Sequence, residues 1–182
     1  MSENVSTAPE DIIVEATDQY LSFSLAQEEY AIDVLDVREI RSWSEPTPLP
    51  HTPEHVLGVI NLRGTIIPVL DLRIQLGLAE HRYDKTTGVI VVQSESDGTE
   101  RQVGLVVDRV LNVKSLESMD GADEVQQATA VSGRYVDGLR RTADGLVILV
   151  DLNAIVRDGL QEADEGTPSE SVDAPAPAED AT

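Results

Sequence analysis

Residues 56–73 constrain the fold most: Val56-Leu57-Gly58-Val59-Ile60-Asn61-Leu62-Arg63-Gly64-Thr65-Ile66-Ile67-Pro68-Val69-Leu70-Asp71-Leu72-Arg73. Two apolar runs rich in Val and Ile flank the short break Asn61-Leu62-Arg63-Gly64. Each run is too short for an ordinary helix and has strand composition. Gly64 can take the positive φ a reversal needs, so the stretch reads as a β-hairpin with Arg63 at its tip or flank. Asp71 then ends the second strand and caps a short helix, Leu72 to Leu76, which closes at Gly77.

The pattern recurs. At an offset of 80, Thr65 to Leu72 falls on Gly145-Leu146-Val147-Ile148-Leu149-Val150-Asp151-Leu152, and Gly58 falls on Gly138. An apolar run closed by Asp-Leu at one fixed spacing marks a structural repeat. The expectation is two β-rich halves, about 18–80 and 87–158, joined by the polar segment 79–86. Strand exchange between them is left open.

The other strands follow the same logic. Tyr20 to Leu25 and Tyr30 to Val34 alternate with period two around a polar break, a hairpin with one buried face. Leu35 to Ile40 suits a helical turn or a bent strand. Glu45-Pro46-Thr47-Pro48-Leu49-Pro50 is extended and poor in donors. Thr52 and Pro53 suggest a short helix to Leu57. Gly88 to Val92 and Gln102 to Val107 form a hairpin about Asp97-Gly98. Val110 to Val113 extends or follows it, residues 114–133 read as a surface loop with a brief helix, and Asp151 caps a terminal helix. Many short strands favour small barrels over an open sheet.

Charge divides the chain. Residues 1–18 carry five acids and residues 159–182 carry seven, with no Lys or Arg in either. Taking those twelve from 34 acids leaves 22 against 13 bases, so the net charge of −21 belongs largely to the ends. Residues 1–17 and 159–182 read as a leader and an acidic tail without fixed structure. Such a chain is a poor partner for nucleic acid. It contains no cysteine, so thiolate metal sites, disulfides and a cysteine nucleophile are excluded. No apolar run reaches the ~20 residues of a membrane span, and no direct membrane insertion is expected.

Catalytic signatures are lacking. Neither a phosphate-binding glycine loop nor a G-x-S-x-G serine occurs. His51 and His55 stand four apart, but Pro53 intervenes and no third ligand is near; His81 lies in a distant loop. They read as two exposed histidines, with no metal or cofactor. Asp71 and Asp151 read as helix caps, not a catalytic pair. What remains is a binding surface: Val37, Glu39 and Ile40 before the proline run, and Asn61 and Arg63 in the turn. An Arg63–Glu39 pair flanked by exposed apolar side chains would suit an interface. At the offset of 80, the turn is replaced by Arg141-Thr142-Ala143-Asp144, so scaffold and turn differ in their repetition.

These residues resemble a known family. Gly58 to Gly64 with Pro68 to Arg73, Glu28 to Val34, Val37-Arg38-Glu39-Ile40-Arg41, Gly104 to Asp108 and Leu146 to Asp151 closely resemble the CheW-like chemotaxis coupling proteins, in order over about residues 19–157. The resemblance implies a mainly β fold of two five-stranded SH3-like barrels packed side by side with a few short helices. It implies a non-catalytic adaptor, cytoplasmic and recruited to membrane-bound receptor arrays, a monomer when free. Its partners would be the cytoplasmic tips of methyl-accepting chemotaxis proteins and the CheW-like regulatory domain of the histidine kinase CheA. An adaptor of a non-flagellar chemosensory pathway is the alternative. The resemblance places Val37, Gly104, Val110 and Val113 in a receptor groove between the barrels. Glu39, Gly58 and Arg63 fall at positions of kinase or receptor coupling.

Overall fold

The computed structural model describes residues 19–78, 82–96, 99–116, 133–142 and 145–164. Ten strands follow in order: β1 (Gln19–Leu25), β2 (Glu28–Asp33), β3 (Val37–Ser42), β4 (Val56–Leu62), β5 (Thr65–Asp71), β6 (Gly88–Ser96), β7 (Thr99–Val107), β8 (Arg109–Ser115), β9 (Val136–Thr142) and β10 (Gly145–Val150). Helix α1 (Leu72–Gln75) follows β5, and α2 (Leu152–Asp164) follows β10. Short 3-10 turns, Val34–Asp36 and Gly133–Tyr135, precede β3 and β9. Leu35 to Ile40 is thus both a helical turn and a strand, with a register shift between Val37 and Glu39.

The strands form two five-stranded sheets, ordered β8-β1-β2-β10-β9 and β3-β6-β7-β5-β4. Each consists of an edge strand, a hairpin, and a second hairpin docked parallel to the first. The parallel contacts are β10 on β2 and β5 on β7. The repeated strand–Asp–helix units, β5–α1 and β10–α2, occupy equivalent places. The sheets do not follow the sequence halves 18–80 and 87–158. Hairpin β1–β2 completes the sheet of β8–β10, and β6–β7 completes that of β3–β5, so strands are exchanged between the halves.

This topology buries both faces of most strands. Phe23, Leu25, Tyr30, Leu70, Ile90, Leu105 and Ile155 meet in a shared core between the sheets and under α2. Val69, Val89 and Val106 pack on the outer side of one sheet, and Ala31, Val147 and Leu149 on that of the other. That is why Val89 to Val92, Val103 to Val107 and Val147 to Val150 read as continuous apolar runs. Each fully buried side chain of this kind contributes about 1.5–3 kcal/mol.

Three local expectations are corrected. No helix forms at 53–57: Val56 N donates to Pro53 O at 2.9 Å and β4 starts there, because a turn places Val56 in the core. His55 is buried rather than exposed, with Nε2 3.2 Å from Gly159 O of α2. Helix α2 runs to Asp164, past the boundary at 158. Gly159 allows this, since a Cβ there would lie 2.7 Å from Leu70 Cδ1. The leader 1–17, the segment 117–132 and the tail from 165 lie outside the described residues.

Candidate functional site

The β4–β5 reversal is a two-residue turn. Leu62 pairs with Thr65, and Arg63 and Gly64 between them have φ of 53° and 92°. Positive φ at both central positions matches the twist of the flanking strands. Asn61 Oδ1 accepts a 2.8 Å hydrogen bond from Gly64 N and fixes the turn, which gives Asn61 a local structural task. Arg63 carries its side chain into solvent, 84% exposed, and its Nη2 donates to Glu39 Oε2 at 3.0 Å. Arg41 Nε stands 3.8 Å from Glu39 Oε1, so one carboxylate serves two guanidinium groups. Exposed pairs stabilise a fold by only ~0–1 kcal/mol. The cluster is therefore available for recognition at little cost in stability.

Apolar side chains lie nearby on β3. Ile40 is 49% exposed although its cross-strand partner Ile90 is buried. Val37 is half-buried against the shared core. On β8, Val113 is 49% exposed and Val110 is half-buried beneath the same core. Val110 lies directly over β6: a Cβ on Gly88 would stand 2.9 Å from Val110 Cγ2. Gly88 pairs with Ser42 at the end of β3, so β8 meets the β3 edge at the junction of the sheets.

The two glycines of the expected site are elsewhere. Gly104 is buried in β7, where a Cβ would lie 3.1 Å from Val89 Cγ1 and 3.5 Å from Val69 Cγ2. It is buried, and its missing side chain lets the neighbouring valines close over the sheet interior. Gly58 has φ +139°, and a Cβ would lie 2.1 Å from Thr47 O. The proline segment crosses β4 here, with Thr47 and Val59 exchanging two 2.9 Å backbone hydrogen bonds. Thr47 thereby pairs with an edge strand that would otherwise present unpaired groups.

Sequence comparison supplies the family. The model of the CheW-like domain matches residues 19–159. The chain belongs to the CheW-like family. It is 37% identical over 138 residues to the chemotaxis protein CheW of Klebsiella aerogenes, covering 76% of this chain and 81% of that protein. It is 31% identical over 145 residues to CheW of Rhizobium meliloti, covering 80% and 91%. The crystal structure of the scaffolding protein TtCheW from Thermoanaerobacter tengcongensis superposes with a TM-score of 0.67 at 33% identity, covering 76% of this chain and 92% of that one. The two sheets are accordingly the two SH3-like subdomains of a CheW-like protein.

This CheW-like fold contains a buried ionic node that local sequence patterning does not show. Arg73 is fully buried; its Nε and Nη2 donate to Asp71 at 2.9 and 2.6 Å, and its Nη1 to Asp108 at 2.7 Å and Arg82 O at 3.0 Å. Burial alone would weaken the guanidinium charge, but the two carboxylates hold its pKa above the ordinary value. Asp108 stands where the chain passes from β7 to β8 and accepts from Ala26 N at 2.8 Å, in the β1–β2 turn. The node therefore ties the two subdomains together. Tyr83 donates to Asp71 at 2.9 Å and stacks on Trp43 at 4.3 Å. Burial, then that hydrogen bond, push its pKa up to about 12. The available signal was Asp-Leu-Arg at the start of a helix, where a capping aspartate can also bind the arginine two residues on.

Asp71 and Asp151 both cap helices, accepting from Arg73 N at 3.0 Å and Ala154 N at 2.9 Å. Among the described residues, no three His, Asp or Glu side chains cluster as a metal site. No helix among them is long and apolar enough to cross a membrane.

Proposed function

We propose that this CheW-like protein is a non-catalytic adaptor that couples methyl-accepting chemotaxis proteins to the histidine kinase CheA, and so controls flagellar motility. The observation that carries this reading is the Arg63–Glu39 pair. A solvent-exposed arginine is held at a hairpin turn and paired with the Glu39 carboxylate of β3, and the exposed Ile40 is the next residue of that strand. Arginine anchors and apolar neighbours on a fixed scaffold suit a protein interface. The half-exposed Val113, with Val110 and Val37, supplies a second surface at the sheet junction. Its apolar character suits the face of a helical hairpin. In this reading, the protein works in the cytoplasm and is recruited to membrane-bound arrays through those contacts.

Immobilised chain should capture both the CheW-like regulatory domain of CheA and a soluble receptor signalling fragment. Arg63→Glu should weaken capture of at least one partner about tenfold or more, as loss of an interface anchor does, with melting unchanged. Capture of neither partner by the unmodified chain would overturn the proposal.

A further inference from the structure

The parallel ladder between β5 and β7 is short. It runs over Val69–Gly104, Leu70–Leu105 and Asp71–Val106. Before it, the strands part and leave a cleft of about 520 Å³, bounded by Thr65 to Pro68 on one side and Glu100 to Gln102 on the other. Edges of parted strands offer main-chain donors and acceptors to an added extended segment. The cleft also offers Ile66, 59% exposed, and the cation Arg101, which makes no ion pair among the described residues.

Leu160 of α2 forms part of the cleft wall. Asp164, the last described residue of the helix, stands four residues beyond Leu160, about 6 Å of helical rise from the cleft wall. Residues 165–182 carry five acids (Glu165, Glu170, Asp173, Glu179, Asp180) and no Lys or Arg. They also carry Val172 and, after Asp173, the run Ala174-Pro175-Ala176-Pro177-Ala178, which its two prolines hold extended and whose alanines a narrow slot can admit.

We infer that residues 165–182 fold back into the β5–β7 cleft, with an extended stretch along the parted strands and a carboxylate on Arg101. Tethering makes this encounter intramolecular, with an effective concentration in the millimolar range for a short linker. A weak contact is then sufficient for occupancy. Thr65 directly follows the Arg63–Gly64 turn, so the docked segment lies along the flank of that turn. Resting on the adaptor reading, it acts there as an internal competitor for partners of Arg63.

The absence of native cysteine permits a clean test. A nitroxide attached at Ser171→Cys in the full chain should broaden the amides of Thr65 to Ile67 and Arg101 to Val103, removing most of their intensity. The double substitution Ile66→Asp, Arg101→Glu should restore those signals while the remaining spectrum stays folded. Unbroadened cleft amides would overturn the inference, as would broadening that survives the double substitution. So would broadening seen only between labelled and unlabelled chains in a mixed sample, because the occupant would then be a second copy. No kinase or receptor is present, so this result stands apart from the capture assay. For the competitor role, deleting 165–182 should strengthen capture of a partner that Arg63→Glu weakens; unchanged capture would refute that role alone.

Discussion

Replacing Arg73 with leucine should cost this fold a large part of its stability. The substitution removes the 2.9 and 2.6 Å hydrogen bonds to Asp71 and leaves that fully buried carboxylate with Arg73 N and the Tyr83 hydroxyl. Removing one partner of a buried ion pair costs about 3–5 kcal/mol. Asp108 adds little, because it is about one-third exposed and water can replace its partner. Against a total stability of about 5–15 kcal/mol, that loss is severe. Urea unfolding followed by circular dichroism would measure it, and fluorescence of Trp43, the only tryptophan, would report the node locally. Removing both partners, with Asp71→Asn beside Arg73→Leu, should recover part of the loss, since the orphaned charge is gone. A loss below about 1 kcal/mol, the range of exposed pairs, would refute the reading of Arg73 and Asp71 as a buried pair on which the fold depends.

Gly58→Ala forces a Cβ into Thr47 O at a positive φ. Backbone strain of this kind costs about 1–3 kcal/mol, and amide exchange at Val59 should accelerate as the Thr47 contact opens. An unchanged urea midpoint would contradict it. Tyr83 titrates above its unfolded value, which lies near 10. Its contribution is therefore full below pH 10 and declines as pH rises through about 12. Tyr83→Phe should flatten that alkaline loss in a series of urea midpoints, and an identical slope would count against the assignment. Arg63→Glu should reduce partner affinity without lowering the melting temperature, and adding Glu39→Arg should recover part of the loss through the reversed pair. Absence of any coupling would separate the two side chains functionally.

What sequence patterning revealed depended on the range of the interaction. The Arg63–Gly64 turn, the caps at Asp71 and Asp151, and the strands flanking them are local, and each was legible from a few adjacent residues. The partner of each hairpin was not. The β1–β2 hairpin carries nothing that names β8 and β10 as its neighbours, because that choice is made by the shared core. Arg73 was hidden for the same reason: one acid is two residues away, but the other, Asp108, is 35 residues distant. His55 looked exposed beside His51 because its acceptor, Gly159 O, comes from α2 at the far end of the domain. The resemblance implies a groove position for Gly104, and its packing between Val69 and Val89 follows only from the register of β5, β6 and β7.

Coupling itself is the central claim, and kinase activity in receptor-containing membranes tests it most directly. Autophosphorylation of CheA would be measured with receptor membranes, with and without this protein, and with Arg63→Glu in its place. The account predicts that the unmodified chain brings the kinase under receptor control and that the Arg63→Glu chain does so poorly. Kinase activity indifferent to the unmodified chain, at concentrations that saturate binding, would contradict it.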